Sequence, residues 1–197
     1  MAAIHLVRHG EVENPKGVIY GRLPGYHLSE RGRKQAEAAS ERLADADIAV
    51  VRASPLERAQ ETALLIAAPH GLEVETDERV VESHTTLEGV GRSLWSFVRS
   101  PQHWWHFRNP LTPSWGESFT DIRKRMVSAV DDALAAAGGR DAVIVSHQTP
   151  VLVARMALTK SRMPPWLAVT QCRTGSVTTL ERDEQGLVSA SYFAPAV

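Results

Sequence analysis

Cysteine is almost missing from this chain of 197 residues. Cys172 is the single one, so no internal disulfide can form and no thiolate cluster can hold a metal. A reducing, cytoplasmic setting is the expectation. Long apolar runs are also missing, since none approaches the roughly 20 residues a helix needs to cross a bilayer. Residues 2–7 are too short a stretch for a secretory signal. Neither sign of charge dominates: 22 Lys and Arg face 23 Asp and Glu, for a net charge of -1. With no basic block or stripe, nucleic acid and membrane surfaces are not expected partners. Aromatics make up only 6% of the chain, yet four of the five tryptophans (Trp95, Trp104, Trp105 and Trp115) crowd into one stretch.

What is present describes an ordinary globular protein, 43% hydrophobic and 23% charged, with the length of one domain spanning residues 1–197. Strand signals fall at residues 3–7, 47–51, 74, 142–145, 168–171, 177–180 and 187–192. The first, second and fourth are nearly continuous in apolar residues, as strands buried on both faces are. Helix patterns lie between them. Ser29 caps a run to about Leu43 with Ala36, Ala39 and Leu43 on its stripe. Phe119, Ile122, Met126, Val130, Ala133 and Ala137 repeat at three and four residues until Gly138-Gly139 stops them. This alternation predicts an α/β fold: a three-layer α/β/α sandwich on a mostly parallel mixed sheet. Asp183-Glu184-Gln185-Gly186 reads as a hairpin turn and gives the sheet an antiparallel edge. Residues 83–116, rich in Trp and interrupted by Pro101, Pro110 and Pro113, break the alternation as an aromatic-rich insert. Its rings form either a local core or part of a pocket wall.

Chemistry concentrates where buried strands stop. Ile4-His5-Leu6-Val7 ends in Arg8-His9-Gly10, which delivers a guanidinium and an imidazole to a strand's carboxyl end, where α/β proteins bind ligands. A guanidinium clamps a phosphate and an imidazole can attack it. Ser54-Pro55-Leu56-Glu57-Arg58 follows the second strand. Ser54 reads as an N-cap, Pro55 as the first helical residue and Glu57 as the capping-box partner. Arg58 then sits beside the free amides of a helix N-terminus, an anion site, unless it is a surface residue paired with Glu57 or Glu61. Asp141-Ala142-Val143-Ile144-Val145-Ser146-His147 repeats the first pattern, a buried strand ending in His. An acid is also required, to protonate a departing alkoxide. Glu82 is the candidate after the third strand, with Glu88 and Glu117 as competitors. Tyr20, Arg22 and Tyr26 point to a leaving group with an apolar or ring portion, although packing accounts for the same residues.

Together these segments resemble the histidine phosphatase superfamily, also named for phosphoglycerate mutase. The likeness rests on Leu6-Val7-Arg8-His9-Gly10-Glu11, Leu28-Ser29-Glu30-Arg31-Gly32 with Gln35-Ala36, Ser54-Pro55-Leu56-Glu57-Arg58-Ala59 with Glu61-Thr62-Ala63, Gly116-Glu117-Ser118 and Val145-Ser146-His147. It covers nearly the whole chain. The resemblance implies that His9 accepts a phosphoryl group, that Arg8, Arg58 and His147 hold its oxygens, and that Glu82 donates the proton. Neutralising a buried monoester dianion leads to the separate expectation that His147 is protonated. It also implies that Asn14 adds a phosphate contact. Tyr20, Arg22 and Gln148 are further substrate-binding candidates. The chain departs from the family at Gln148, where Gly is usual, which narrows or re-polarises the pocket rim. It departs again at residues 83–89, which keep only the final Glu-Gly of an aromatic-containing stretch.

The expected activity is hydrolysis of a small phosphorylated metabolite with no metal and no cofactor, since side chains supply the cations. Phosphoglycerate mutase-type transfer is the nearest alternative, disfavoured because Arg92, Arg99 and Arg108 are scattered rather than paired. A non-catalytic phosphate-ligand binding protein is another. A metal hydrolase built on His5, His9, His84 and His147 is a poor fit, because His5 and His9 lie four apart on a strand rather than a helix. Residues 180–192 offer the one edge through which two copies could pair as a homodimer.

Overall fold

The computed structural model describes residues 2–91, 116–161, 171–182 and 188–197. Within them, β1 (Ala3–Arg8), β2 (Ile48–Ala53), β3 (Val74–Thr76), β4 (Asp141–Ser146), β5 (Val177–Arg182) and β6 (Val188–Phe193) form one sheet. Its order is β3-β2-β4-β1-β5-β6. The first four in that order run parallel, and β5 and β6 are antiparallel additions beside β1. This is the mixed sheet the alternation of elements predicts. Strand boundaries differ from the apolar runs by one or two residues, because polar ends such as Arg8 and Asp141 still pair.

Among the described residues, four α-helices cover the two faces: α1 (Glu30–Leu43), α2 (Glu57–Ala67), α3 (Phe119–Ala137) and α4 (Gln148–Leu158). Successive strand residues point to opposite sides, and each side meets its own pair of helices. Val7, Val51, Val143 and Val145 pack with Ala39 and Leu43 of α1 and Ala59, Ala63 and Ile66 of α2. Leu6 and Ile144 pack with Met126, Val130 and Ala133 of α3 and Leu152 of α4. The helix ends follow the chemistry of their residues. Ser29 caps α1 by accepting from the Gly32 amide at 3.0 Å. Gly138 ends α3 in the left-handed region at φ 60°, which costs glycine nothing sterically.

One close approach ties two distant motifs together. A Cβ on Gly10 would collide with the Gly32 carbonyl, and one on Gly32 would collide with the Glu11 carbonyl. The loop after β1 therefore rests directly on the first turn of α1, and only glycines leave room for it.

The start of α2 corrects the capping expectation. The helix begins at Glu57 with Leu56 at the cap position and no side-chain cap bond. Ser54 is engaged elsewhere, and the Glu57 carboxylate accepts from the Gly25 amide at 3.0 Å. The tryptophan-rich stretch at 92–115, the 183–186 turn and most of the strand expected at 168–171 lie outside the described residues; Gln171 itself is not in a strand. Among the described residues no helix is long and apolar enough to cross a membrane.

Candidate active site

Register brings the key residues together. Arg8 pairs with Ser146 and Ala53 with Val145, so β1, β4 and β2 end at one edge as neighbours. The His9 amide donates to the Ser146 carbonyl at 3.0 Å, and the Ser54 amide to the Val145 carbonyl at 3.0 Å. His9 and His147 thus leave adjacent strands side by side, with ring centroids 5.0 Å apart. Arg58 arrives from the first turn of α2.

A cavity of about 450 Å³ opens over this edge, with Arg8, His9, Tyr20, Glu82, Ser83, Gln148, Thr149 and Thr174 on its walls. His9 is 1% exposed, and Arg58 and His147 beneath it are fully buried. Burial lowers the dielectric around these side chains, so their charges interact more strongly than they would in bulk water.

Orphaned donors are the most telling feature. Burying a cation is costly unless it is paired. Arg58 donates one bond, from Nη2 to the Gly21 carbonyl at 2.6 Å, and its carbon Cζ lies 4.8 Å from the Tyr20 ring centre. Its Nε and Nη1 have no partner. Arg8 donates from Nη1 to the Cys172 carbonyl at 2.7 Å and leaves Nε unpartnered. Nδ1 of His147 is buried and unpartnered as well. Four buried nitrogens around one imidazole, all capable of donating, are arranged for an anion with several acceptor oxygens.

His9 is set up as a nucleophile. Its Nδ1 lies 2.6 Å from the Gly10 carbonyl. A carbonyl only accepts, so Nδ1 carries the proton and Nε2 keeps its lone pair. Burial, then Arg8 and Arg58, holds its pKa well below the ordinary 6.5. The same physics acts on His147: burial, followed by His9, Arg58, Arg8 and Arg125, lowers its pKa well below 6.5, which runs against the expectation of a charged ring.

A stability prediction follows from the sign of these shifts. Both imidazoles bind protons more readily unfolded than folded, so stability falls as pH drops below 6.5 toward their folded values. Glu82, whose pKa is raised, works in the opposite direction. The thermal midpoint of His9→Asn should therefore depend less steeply on pH between 6.5 and 5 than that of the wild type. Equal slopes in differential scanning calorimetry would contradict the assignment.

The structure separates the three acid candidates. Glu82 is on the cavity wall, with Oε1 accepting from the Ser83 amide at 2.8 Å and hydroxyl at 3.2 Å. Burial raises its pKa against the opposing pull of Ser83, Arg8 and Arg58. Glu88 is turned to the Arg22 amide, which it accepts at 2.6 Å. Glu117 is clamped by Arg125 through both oxygens, at 2.7 and 3.0 Å.

Residues 4–194 match the family model described as histidine phosphatase superfamily (branch 1). The chain belongs to that superfamily. It is 50% identical to the Mycobacterium tuberculosis protein named uncharacterized protein Rv0525, over 98% of this chain and 96% of that one. It is 32% identical to phosphoserine phosphatase 1 of Hydrogenobacter thermophilus, over 80% of this chain and 76% of the relative. Among solved structures, the mycobacterial glucosyl-3-phosphoglycerate phosphatase Rv2419c is similar with a TM-score of 0.75 at 26% identity. That match covers 98% of this chain and 97% of the other.

Not every residue singled out in this superfamily member takes the place its sequence suggests. Asn14 lines the cavity, but its amide closes its own loop, donating to the Val18 carbonyl at 2.8 Å and accepting from the Val18 amide at 3.1 Å. Arg22 is not on the wall. Its Nε donates to the Glu82 carbonyl at 2.7 Å and its Nη2 to Glu117 at 3.1 Å, so it braces the strand of chain carrying Glu82. Tyr20 stacks on Tyr26 with centroids 5.0 Å apart and also lies against Arg58, so it packs the clamp. Gln148 is on the rim at the first turn of α4. His5 is turned to Thr179 at 2.9 Å and Asp141 at 3.2 Å, which takes it out of any shared centre with His9. Sequence reading missed Ser54, Ser83, Thr62 and Thr174. Thr62 is buried between the motifs, accepting from the Gly10 amide and donating to the Arg58 carbonyl. Its place inside Glu61-Thr62-Ala63 was the available signal.

Proposed function

We propose that this histidine phosphatase hydrolyses a small phosphorylated metabolite through a phosphohistidine on His9, in the cytoplasm and without a metal. The observation that carries the reading is the set of unpartnered donors on Arg8, Arg58 and His147 around the free Nε2 of His9. The phosphatase names of similar proteins support the reaction class.

In the first step Nε2 of His9 bonds to phosphorus as the ester P–O bond breaks. Glu82, whose pKa burial raises, gives its proton to the departing alkoxide. The guanidiniums spread the charge of the loose transition state without having to move into place. In the second step the Glu82 carboxylate takes a proton from water as the water oxygen attacks phosphorus. Inorganic phosphate leaves, and His9 and Glu82 return to their starting states.

Incubation with p-nitrophenyl phosphate and with phosphorylated metabolites should release inorganic phosphate at a rate unchanged by EDTA. Complete loss with EDTA, restored by a divalent ion, refutes the metal-free reaction. Isomerised phosphoglycerate in place of released phosphate assigns the chain to mutase chemistry instead.

A further inference from the structure

Ser54 sits where β2 ends, fully buried, with its Oγ 2.8 Å from Nε2 of His147. The two residues are 93 apart in the chain, and the contact exists because β2 and β4 stop together. The Leu56 amide points at the same oxygen from 3.4 Å, a long bond but one that makes Oγ an acceptor on that side. The hydroxyl proton is then free to turn toward Nε2.

We propose that Ser54 is a positioning residue whose hydroxyl donates to Nε2 of His147 and so holds this imidazole as the neutral Nδ1–H tautomer. Resting on the phosphatase reading above, this makes His147 a hydrogen-bond donor to the phosphoryl group without a positive charge.

The alternative tautomer is disfavoured by what surrounds it. With the proton on Nε2 donating to Ser54, the buried, unpartnered Nδ1 would present a lone pair to an incoming anion. With the proton on Nδ1, every group is satisfied in sequence: Leu56 amide to Ser54 oxygen, Ser54 hydroxyl to Nε2, Nδ1–H to a phosphoryl oxygen. The groups facing His147 explain why a neutral donor is needed. Burial disfavours a charge on His147, and the guanidiniums of Arg58 from α2, Arg8 from the end of β1 and Arg125 from α3 oppose a further positive charge beside the His9 ring. A ring that must donate here does so by tautomer rather than by protonation.

Ser54→Ala should lower kcat/KM toward p-nitrophenyl phosphate about 10- to 100-fold at pH 8, because the ring then divides between both tautomers and only one of them can donate. Ser54→Thr should recover most of the loss. Long-range proton–nitrogen NMR of the wild type at pH 8, with histidines labelled, should show Nδ1 of His147 protonated and Nε2 bare. In Ser54→Ala the ring should become a mixture of both tautomers.

An Nε2–H pattern in the wild type overturns the proposal. So does an unchanged tautomer in the Ser54→Ala variant, or a Ser54→Thr variant that recovers none of the lost activity. The wild-type spectrum stands on its own if the alanine variant does not fold. It also reads the tautomer independently of turnover, so a chain that hydrolyses no monoester defeats the phosphatase reading and leaves this one separately decided.

Discussion

His9→Ala is expected to lose all turnover that depends on a covalent intermediate, a fall of at least about 10⁵-fold in kcat, as for other nucleophiles that act with their partners as a unit. The size of the effect follows from the geometry. Removing the ring takes away the attacking atom, and neither Glu82 nor Ser83 stands in for it, since the Ser83 amide and hydroxyl are bound to the Glu82 carboxylate. The clamp is built on other residues, so affinity for inorganic phosphate or vanadate should fall far less than turnover. Rapid quenching of the wild type with a ³²P-labelled monoester should trap acid-labile, base-stable label on the protein, and His9→Ala should carry none. Full activity with an alanine at this position, or label that persists on the variant, would remove His9 from the reaction.

Much of this arrangement is legible in the sequence because a parallel sheet turns linear pattern into spatial proximity. The apolar runs before Arg8-His9 and before Ser146-His147 each mark a strand buried on both faces. Neighbouring strands of that kind end at one edge. Arg58 is legible for a related reason, since it follows β2 by a turn and so enters at the same edge. What the sequence conceals is how each side chain is used once it arrives. Ser54 satisfies the local pattern of a helix cap, yet its Oγ meets Nε2 of His147, 93 residues away, and the helix starts at Glu57. Arg22 has the charge of a substrate ligand, but Glu117 and the Glu82 carbonyl reach it first. Glu82, Glu88 and Glu117 are equivalent as letters. They are distinguished by Arg125 and the Arg22 amide, which occupy two of them and leave the third on the wall. Local propensity fixes the elements, and long-range competition for hydrogen bonds assigns the side chains.

That competition also predicts the second large effect, at Arg58. Arg58→Ala should lower kcat/KM on the order of 10³-fold or more, the scale on which a guanidinium stabilises a phosphoryl-transfer transition state. The residue is fully buried, with Nε and Nη1 unpartnered and therefore free for the phosphoryl oxygens. Arg58→Lys should recover little, because an ammonium cannot donate to Gly21 and to two phosphoryl oxygens from one plane. Stability should move the other way. Desolvation is the largest influence on this guanidinium, and it pulls its pKa down, so burying this charge costs stability. Arg58→Met keeps much of the volume and removes the buried charge, so its thermal midpoint should equal or exceed that of the wild type while activity collapses. Saturating phosphate or vanadate should raise the wild-type midpoint and leave Arg58→Met nearly unmoved, since binding to the folded state stabilises only where affinity remains. A drop of tenfold or less in kcat/KM for Arg58→Ala would place this arginine outside the clamp. A methionine variant that melts well below the wild type would mean that the guanidinium holds the fold together rather than waiting for an anion.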